Sequence, residues 1–207
     1  VVSGNGTHVV FASAADLAGT PTGAKVQLYL RDLSTGRTRL VSTSVAGAVA
    51  DQNVSFGDSF NPPFDITPDG RYVVFSSIAT NLVPGDGNAR EDVFRKDMTT
   101  GAISLVSVSS SGVQGNNDSR DPSISGDGSR IAFVTLSTNL LPADGNAAAS
   151  DIVLRDLGAG TTTLVSASSA GQQANDFTER PSISADGRAV AFEAGPTTTN
   201  LYANDTN

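Results

Sequence analysis

With 207 residues, a formal charge of −8 and a pI near 4.4, the chain is long enough to bury a core but lacks the positive footprint of a nucleic-acid binder. It has no cysteine, which excludes disulfides, thiolate metal sites and a thiol nucleophile, and no apolar run of transmembrane length, so no membrane insertion is expected. A cation, a basic partner or a neutral glycan suits this balance better.

The first element, SGNGTHVVFAS (Ser3 to Ser13), is a glycine turn followed by an apolar strand. From Leu28 comes LYLRDLSTGRTRLVS, two strands around a Thr-Gly turn. Both blocks then return. The first recurs as TPDGRYVVFSS from Thr67, SGDGSRIAFVT from Ser125 and SADGRAVAFEA from Ser184. The second recurs as VFRKDMTTGAISLVS from Val93 and IVLRDLGAGTTTLVS from Ile152. Phe11, Phe75, Phe133 and Phe192 step by 64, 58 and 59 residues, and Asp32, Asp97 and Asp156 keep nearly the same step. Two independent blocks sharing one period establish a repeat.

Each repeat reads as four short strands. A PSIS-like stretch such as Pro181 to Ser184 is followed by an Asp-Gly or Asn-Gly turn, the strongest short hairpin signal. The next strand, as in Tyr72 to Ser76, is apolar on consecutive residues, the pattern of a sheet covered on both faces. Two further strands complete the unit. The reading is an all-β β-propeller of four-stranded antiparallel blades, with about three and a half blades present. Blade 1 falls at about 1–45, blade 2 at about 63–108, blade 3 at about 122–167, and a partial blade 4 at about 181–207.

SADGRAVAF, DIVLRDLGAGTTTLVS and the NLVPGDGN segment at Asn81 to Asn88 resemble the TolB-like propeller repeat, a WD-like family. The resemblance covers essentially the whole chain and speaks to fold rather than activity. It implies association with peptidase domains or polysaccharide lyases as one setting for such propellers. The first copy departs from the pattern: Asn5 stands where the others have Asp69, Asp127 and Asp186, and the DGN stretch is missing.

The fourth copy stops after its second strand, which would leave a sheet edge open. The expectation is a longer protein of which this is an excerpt, or an additional chain or second copy that closes the ring.

The tight turns within each repeat share one face, and the long connections share the other. Polar, structured loops on a rigid scaffold are where binding residues concentrate, so ligand chemistry is expected on the long-loop face. Asp86, Asn88 and Asp92, and in the next copy Asp144, Asn146 and Asp151, set oxygen ligands around a glycine turn, with Asp205 beginning a third set. Hard cations take such oxygens, which makes Ca2+ the candidate metal; turn stabilisation by Asp and Asn is the alternative. Asn116, Asn117, Asp118 and Arg120, with Asn175, Asp176 and Arg180, precede the innermost strands and are the candidate ligand-binding set. Their arginines could grip a carboxylate or a sugar, or pair with neighbouring acids. The recurrent Arg31-Asp32 and Arg155-Asp156, with Asp97, read as scaffold: turn stabilisation or a salt link between blades.

No catalytic residues are assigned. His8 is the single histidine, lies beside a tight turn, and has no nucleophile-elbow sequence to serve. The expected function is a non-enzymatic extracytoplasmic module, periplasmic, secreted or on the cell surface, that binds a protein or glycan through the long-loop face. A propeller domain of a polysaccharide lyase or peptidase-type enzyme, and a structural subunit of a surface assembly, stay open as alternatives.

Overall fold

A computed structural model describes residues 1–54, 63–146 and 149–201. These residues form thirteen strands and no helix. The first sheet holds β1 (His8–Ser13), β2 (Gln27–Asp32) and β3 (Thr38–Leu40). Its inner position is taken by the start of the chain, where Val2 bridges Val9 and the Val1 ammonium donates to the Val10 carbonyl at 3.0 Å. The second sheet runs β4 (Phe64–Ile66), β5 (Tyr72–Ser77), β6 (Asp92–Asp97) and β7 (Ile103–Leu105). The third runs β8 (Ser119–Ile124), β9 (Arg130–Thr135), β10 (Asp151–Asp156) and β11 (Thr161–Leu164); the fourth pairs β12 (Thr178–Ile183) with β13 (Val190–Ala194). Every pairing is antiparallel between chain neighbours, the meander of a propeller blade.

The consecutive apolar residues of the second strands divide between two interfaces, as strand alternation requires. Val73 and Phe75 enter a core shared with Val10, Leu28, Leu30 and Val41 of the first sheet. Val74 turns the other way and meets Ile124, Ile131, Phe133 and Val153 of the third sheet. Phe75 and Phe133 are fully buried. Opposite Phe75 in the register stands Phe94, and their rings stack with centroids 5.8 Å apart.

On the tight-turn face the blades interlock through the Asp-Gly glycines. Gly70, Gly128 and Gly187 all have φ near +70°, which glycine adopts without penalty. Each also lies under a side chain of the preceding blade: His8 over Gly70, Tyr72 over Gly128, Arg130 over Gly187. Cations add links between blades. Arg95 donates to the Gly128 carbonyl at 2.7 Å, Lys96 to that of Thr43 at 2.7 Å, and Arg155 to that of Ser109 at 3.1 Å.

The scaffold aspartates hold turns. Asp32 accepts from the Ser34 amide at 2.8 Å, Asp97 from Thr99 at 2.8 Å, and Asp156 from Ala159 at 2.9 Å. Their salt links stay within a blade, Arg71 to Asp97 at 3.0 Å and Arg130 to Asp156 at 2.9 Å.

The innermost strands begin earlier than the sequence indicates. Ser119–Asp121 and Thr178–Arg180 read as loop but belong to β8 and β12. A bulge separates them from the PSIS stretch: Asp121 and Arg180 take φ of 53° and 54°, and the following Pro122 and Pro181 have no amide to offer the ladder.

Candidate functional site: the face of long connections

Charge is unequally divided between the two faces. Across 14–26, 43–54, 78–91, 107–118, 136–150 and 166–177, acids outnumber bases seven to two. In the tight turns at 3–7, 33–37, 67–71, 98–102, 125–129, 157–160 and 184–189, three acids meet three bases. The acidity of the connecting segments thus falls on the long-connection face.

That face is held by a clasp repeated three times. Asn81 accepts from the Asp51 amide at 3.0 Å and donates to the Val49 carbonyl at 2.8 Å. Asn139 does the same to Asn116 (3.0 Å) and Gln114 (2.9 Å), and Asn200 to Asn175 (3.1 Å) and Gln173 (2.6 Å). The preceding threonine completes each clasp. Thr80 donates its amide and hydroxyl to Asp51, while the amides of Thr138 and Thr199 donate to the side chains of Asn116 and Asn175. Thr80-Asn81, Thr138-Asn139 and Thr199-Asn200 went unrecognised as functional positions, although T-N-L recurs in the sequence at each.

The candidate ligand-binding residues are therefore engaged with one another's loops. Asn116 and Asn175 sit in clasps. The Asn117 amide donates to the Ser137 hydroxyl at 3.0 Å, Asp118 accepts from the Glu91 amide at 3.1 Å, and Asp176 accepts from Thr197 at 2.7 Å. The two arginines diverge: Arg120 reaches Glu179 of the next blade at 3.4 Å, whereas Arg180 pairs with Glu193 of its own at 2.9 Å. Arg180 also lines a cavity of about 230 Å³ between inner strands with Phe64, Asp65 and Ser123. There Asp65 accepts the Ile124 amide at 3.1 Å, and Ser123, in the same place one blade on, accepts that of Ile183 at 3.1 Å.

The candidate metal residues converge in two clusters, each around a glutamine. The Gln114 side-chain nitrogen lies 2.8 Å from both Asp86 and Asp92. The Gln173 nitrogen lies 3.1 Å from Asp144, 3.1 Å from the Asn146 oxygen and 2.7 Å from Asp151. Asp205 lies outside the described residues. Burial pushes the Asp86, Asp92 and Asp151 carboxyls above the usual range, and the neighbouring acid adds to this for Asp92 and Asp151. Among the described residues no three acidic or imidazole side chains gather in a metal-holding group; each cluster holds two carboxylates, and the second adds the Asn146 oxygen, whereas the Asn88 oxygen accepts from the Arg90 amide at 2.9 Å. Both glutamines escaped the sequence analysis, although Gln114 and Gln173 stand one repeat apart.

Asn88 and Asn146 have a further task, donating to the Gly115 and Ala174 carbonyls at 2.9 and 2.8 Å. This explains the departure of the first copy. There Gln27 occupies the place of Asp92 and Asp151, and its own amide reaches the equivalent Ala50 carbonyl at 3.2 Å. Val49 then replaces the loop glutamine, since no second carboxylate calls for a donor.

No family model matches the chain, and neither does any curated protein. Solved structures do. TolB from Acinetobacter baumannii is 18% identical over 96% of this chain and 38% of its own, with a TM-score of 0.57. The oligogalacturonate lyase from Vibrio parahaemolyticus is 11% identical over 95% of this chain and 45% of its own, with a TM-score of 0.53. The chain thus spans less than half of either protein. The likeness is one of fold: this chain has the β-propeller architecture of TolB-like proteins.

Proposed function

We propose that the chain is a non-enzymatic, extracytoplasmic propeller module that binds a protein or glycan partner through the face of long connections. The observation that carries this reading is the division of charge, seven acids to two bases in the connecting segments of that face against parity within the tight turns of the other. An acidic face on a rigid scaffold steers a basic or neutral partner and repels nucleic acid. His8 supports no hydrolytic triad, because its ring lies over Gly70 on the opposite face with Nδ1 bonded to Thr7. Further blades, from additional chain or a second copy, would complete the ring behind this face.

The test is an array of basic, neutral and acidic peptides and glycans probed with the wild type, with Glu91→Gln/Asp144→Asn on the acidic face, and with Asp127→Asn/Asp186→Asn on the other. Selective loss with the first pair supports the reading. Equal loss with both pairs, or binding indifferent to either, overturns it.

Calcium in the Asp86 and Asp144 loops is a second reading, supported by one buried carboxylate in each cluster, Asp92 and Asp151, whose ionisation a cation would favour. A cation would have to displace the glutamine amide. Under this reading millimolar calcium raises the melting temperature and Asp92→Ala abolishes the rise; an unchanged melting temperature rejects it.

A further inference from the structure

The long-connection face carries two cavities at equivalent blade junctions, and they differ in a way that names an occupant. Between the first and second blades, an open cleft of about 480 Å³ is lined by Val45, Leu82, Val83, Pro84 and Ile103, with Ser44 and Thr80 beside them. Between the second and third, one of about 330 Å³ is lined by Ser110, Val113, Leu140, Leu141 and Pro142. Asn-Leu-Val-Pro in one junction and Asn-Leu-Leu-Pro in the other supply the same wall, with Leu82 and Leu140 as buried floors.

The opposite walls are built differently. In the second junction Thr162 donates its amide to the Ser110 hydroxyl at 2.9 Å and its own hydroxyl to the Val108 carbonyl at 2.6 Å. Those bonds hold β11 against the preceding loop, and the cavity there is the smaller of the two. In the first junction Ile103 stands in the place of Thr162 and Val45 in that of Ser110. Neither can form such bonds, so the cavity is wider and its wall apolar. Val45, at the rim, is 73% exposed, more than any other large apolar side chain among the described residues. A cavity of this size accepts a bulky side chain with its flanking backbone.

Two acids stand next to the lining: Asp51, whose carboxylate accepts from the lining Thr80 at 2.9 Å, and Asp86, which follows the lining Gly85 in sequence. No Lys or Arg occurs in 43–54 or 78–86. The nearby cation, Lys96, is buried with its ammonium on the carbonyls of Thr43 and Ser44.

We propose that this junction cavity anchors a basic peptide segment of a partner protein, its bulky apolar side chain entering between Val45, Leu82 and Ile103 and its flanking Lys or Arg lying against Asp51 and Asp86. The inference rests on the reading of this face as the binding face and makes the partner a cationic protein segment rather than a glycan.

The probe is fluorescein-labelled Gly-Lys-Phe-Lys-Gly, titrated by anisotropy at low and high salt beside its Lys-Ala-Lys and Glu-Phe-Glu counterparts. Wild type binds the first at least tenfold more tightly than either of the others, and added salt weakens it. Val45→Ser/Ile103→Thr copies the second junction, a wall this chain already builds, and a thermal melt confirms its fold; it binds Lys-Phe-Lys at least tenfold more weakly. Asp51→Asn/Asp86→Asn also weakens it and removes the salt dependence. Binding undiminished in Val45→Ser/Ile103→Thr but lost in Asp51→Asn/Asp86→Asn overturns the cavity and leaves the acidic face standing. Binding unchanged in both variants overturns both readings. No binding by wild type up to about 1 mM, the limit of a meaningful peptide contact, overturns the inference alone.

Discussion

The ring of Tyr72 occupies the space that a β-carbon on Gly128 would require, so one blade's second strand locks into the next blade's turn. This glycine serves two purposes at once, a left-handed turn and a socket. Gly101, also at positive φ but with open space around it, serves the first alone.

Those two glycines allow the purposes to be separated. Gly101→Ala should cost about 1–2 kcal/mol, the penalty for a side chain in the left-handed region. Gly128→Ala should cost about 1–3 kcal/mol more, because Tyr72 must also shift. Urea denaturation of both variants checks this, and equal losses would remove the socket.

Phe133 should be among the most sensitive core positions. It is fully buried between the second and third blades, so Phe133→Ala should cost about 3–5 kcal/mol. A change within about half a kcal/mol in the same measurement would contradict the packing described.

The glutamine clusters yield a double-mutant test. Asp92→Gln alone leaves the Gln114 amide facing another amide where a carboxylate stood, an expected loss of about 1–3 kcal/mol. Adding Gln114→Val copies the first blade, where Gln27 and Val49 coexist. The pair should recover more than half of the loss, a coupling visible in a four-member thermal-melt cycle.

Acidity should act in two opposing directions. Asp65, Asp92 and Asp151 are raised by burial, so the folded state holds their protons at a pH where the unfolded chain has released them. The stabilisation from those protons is present below about pH 4, the unfolded value, and is lost as pH rises through the folded values. Asp127 is lowered to about 2 by hydrogen bonds from Ser129 and Ser125, so its contribution is present above about pH 4 and lost as pH falls towards 2. Asp65→Ser, the residue found one blade on, should therefore gain stability relative to wild type between pH 4 and pH 7. Asp127→Asn should lose stability at pH 7 and approach wild type near pH 2. Chemical denaturation across pH reads both.

The repeat was legible because turn chemistry and burial leave local marks: Asp-Gly shortly before an unbroken apolar run that includes Phe75 or Phe133 marks both a hairpin and a doubly covered strand. The missing DGN of the first blade was also visible in the sequence, but its compensation by Gln27 was not. That exchange involves an atom reaching the Ala50 carbonyl, 23 residues away. The bulges at Asp121 and Arg180 were hidden for a similar reason, since strand pairing with β9 and β13 continues past a proline that locally argues against it. Ile103 and Thr162 look like interchangeable strand residues in sequence. Only the loop of the preceding blade, packed beside them, makes one leave a cavity open and the other narrow it.

The Thr-Asn clasps at Asn81, Asn139 and Asn200 each join a blade to its immediate predecessor and to nothing beyond. Energetically the chain is then a row of couplings between adjacent units, each with its own free energy. Breaking the middle one, as Asn139→Ala would, should not loosen the molecule evenly. Amide exchange should accelerate in residues 114–117 and 136–139, while protection in β2 and β5 persists, and the row should part at that seam before either side of it melts.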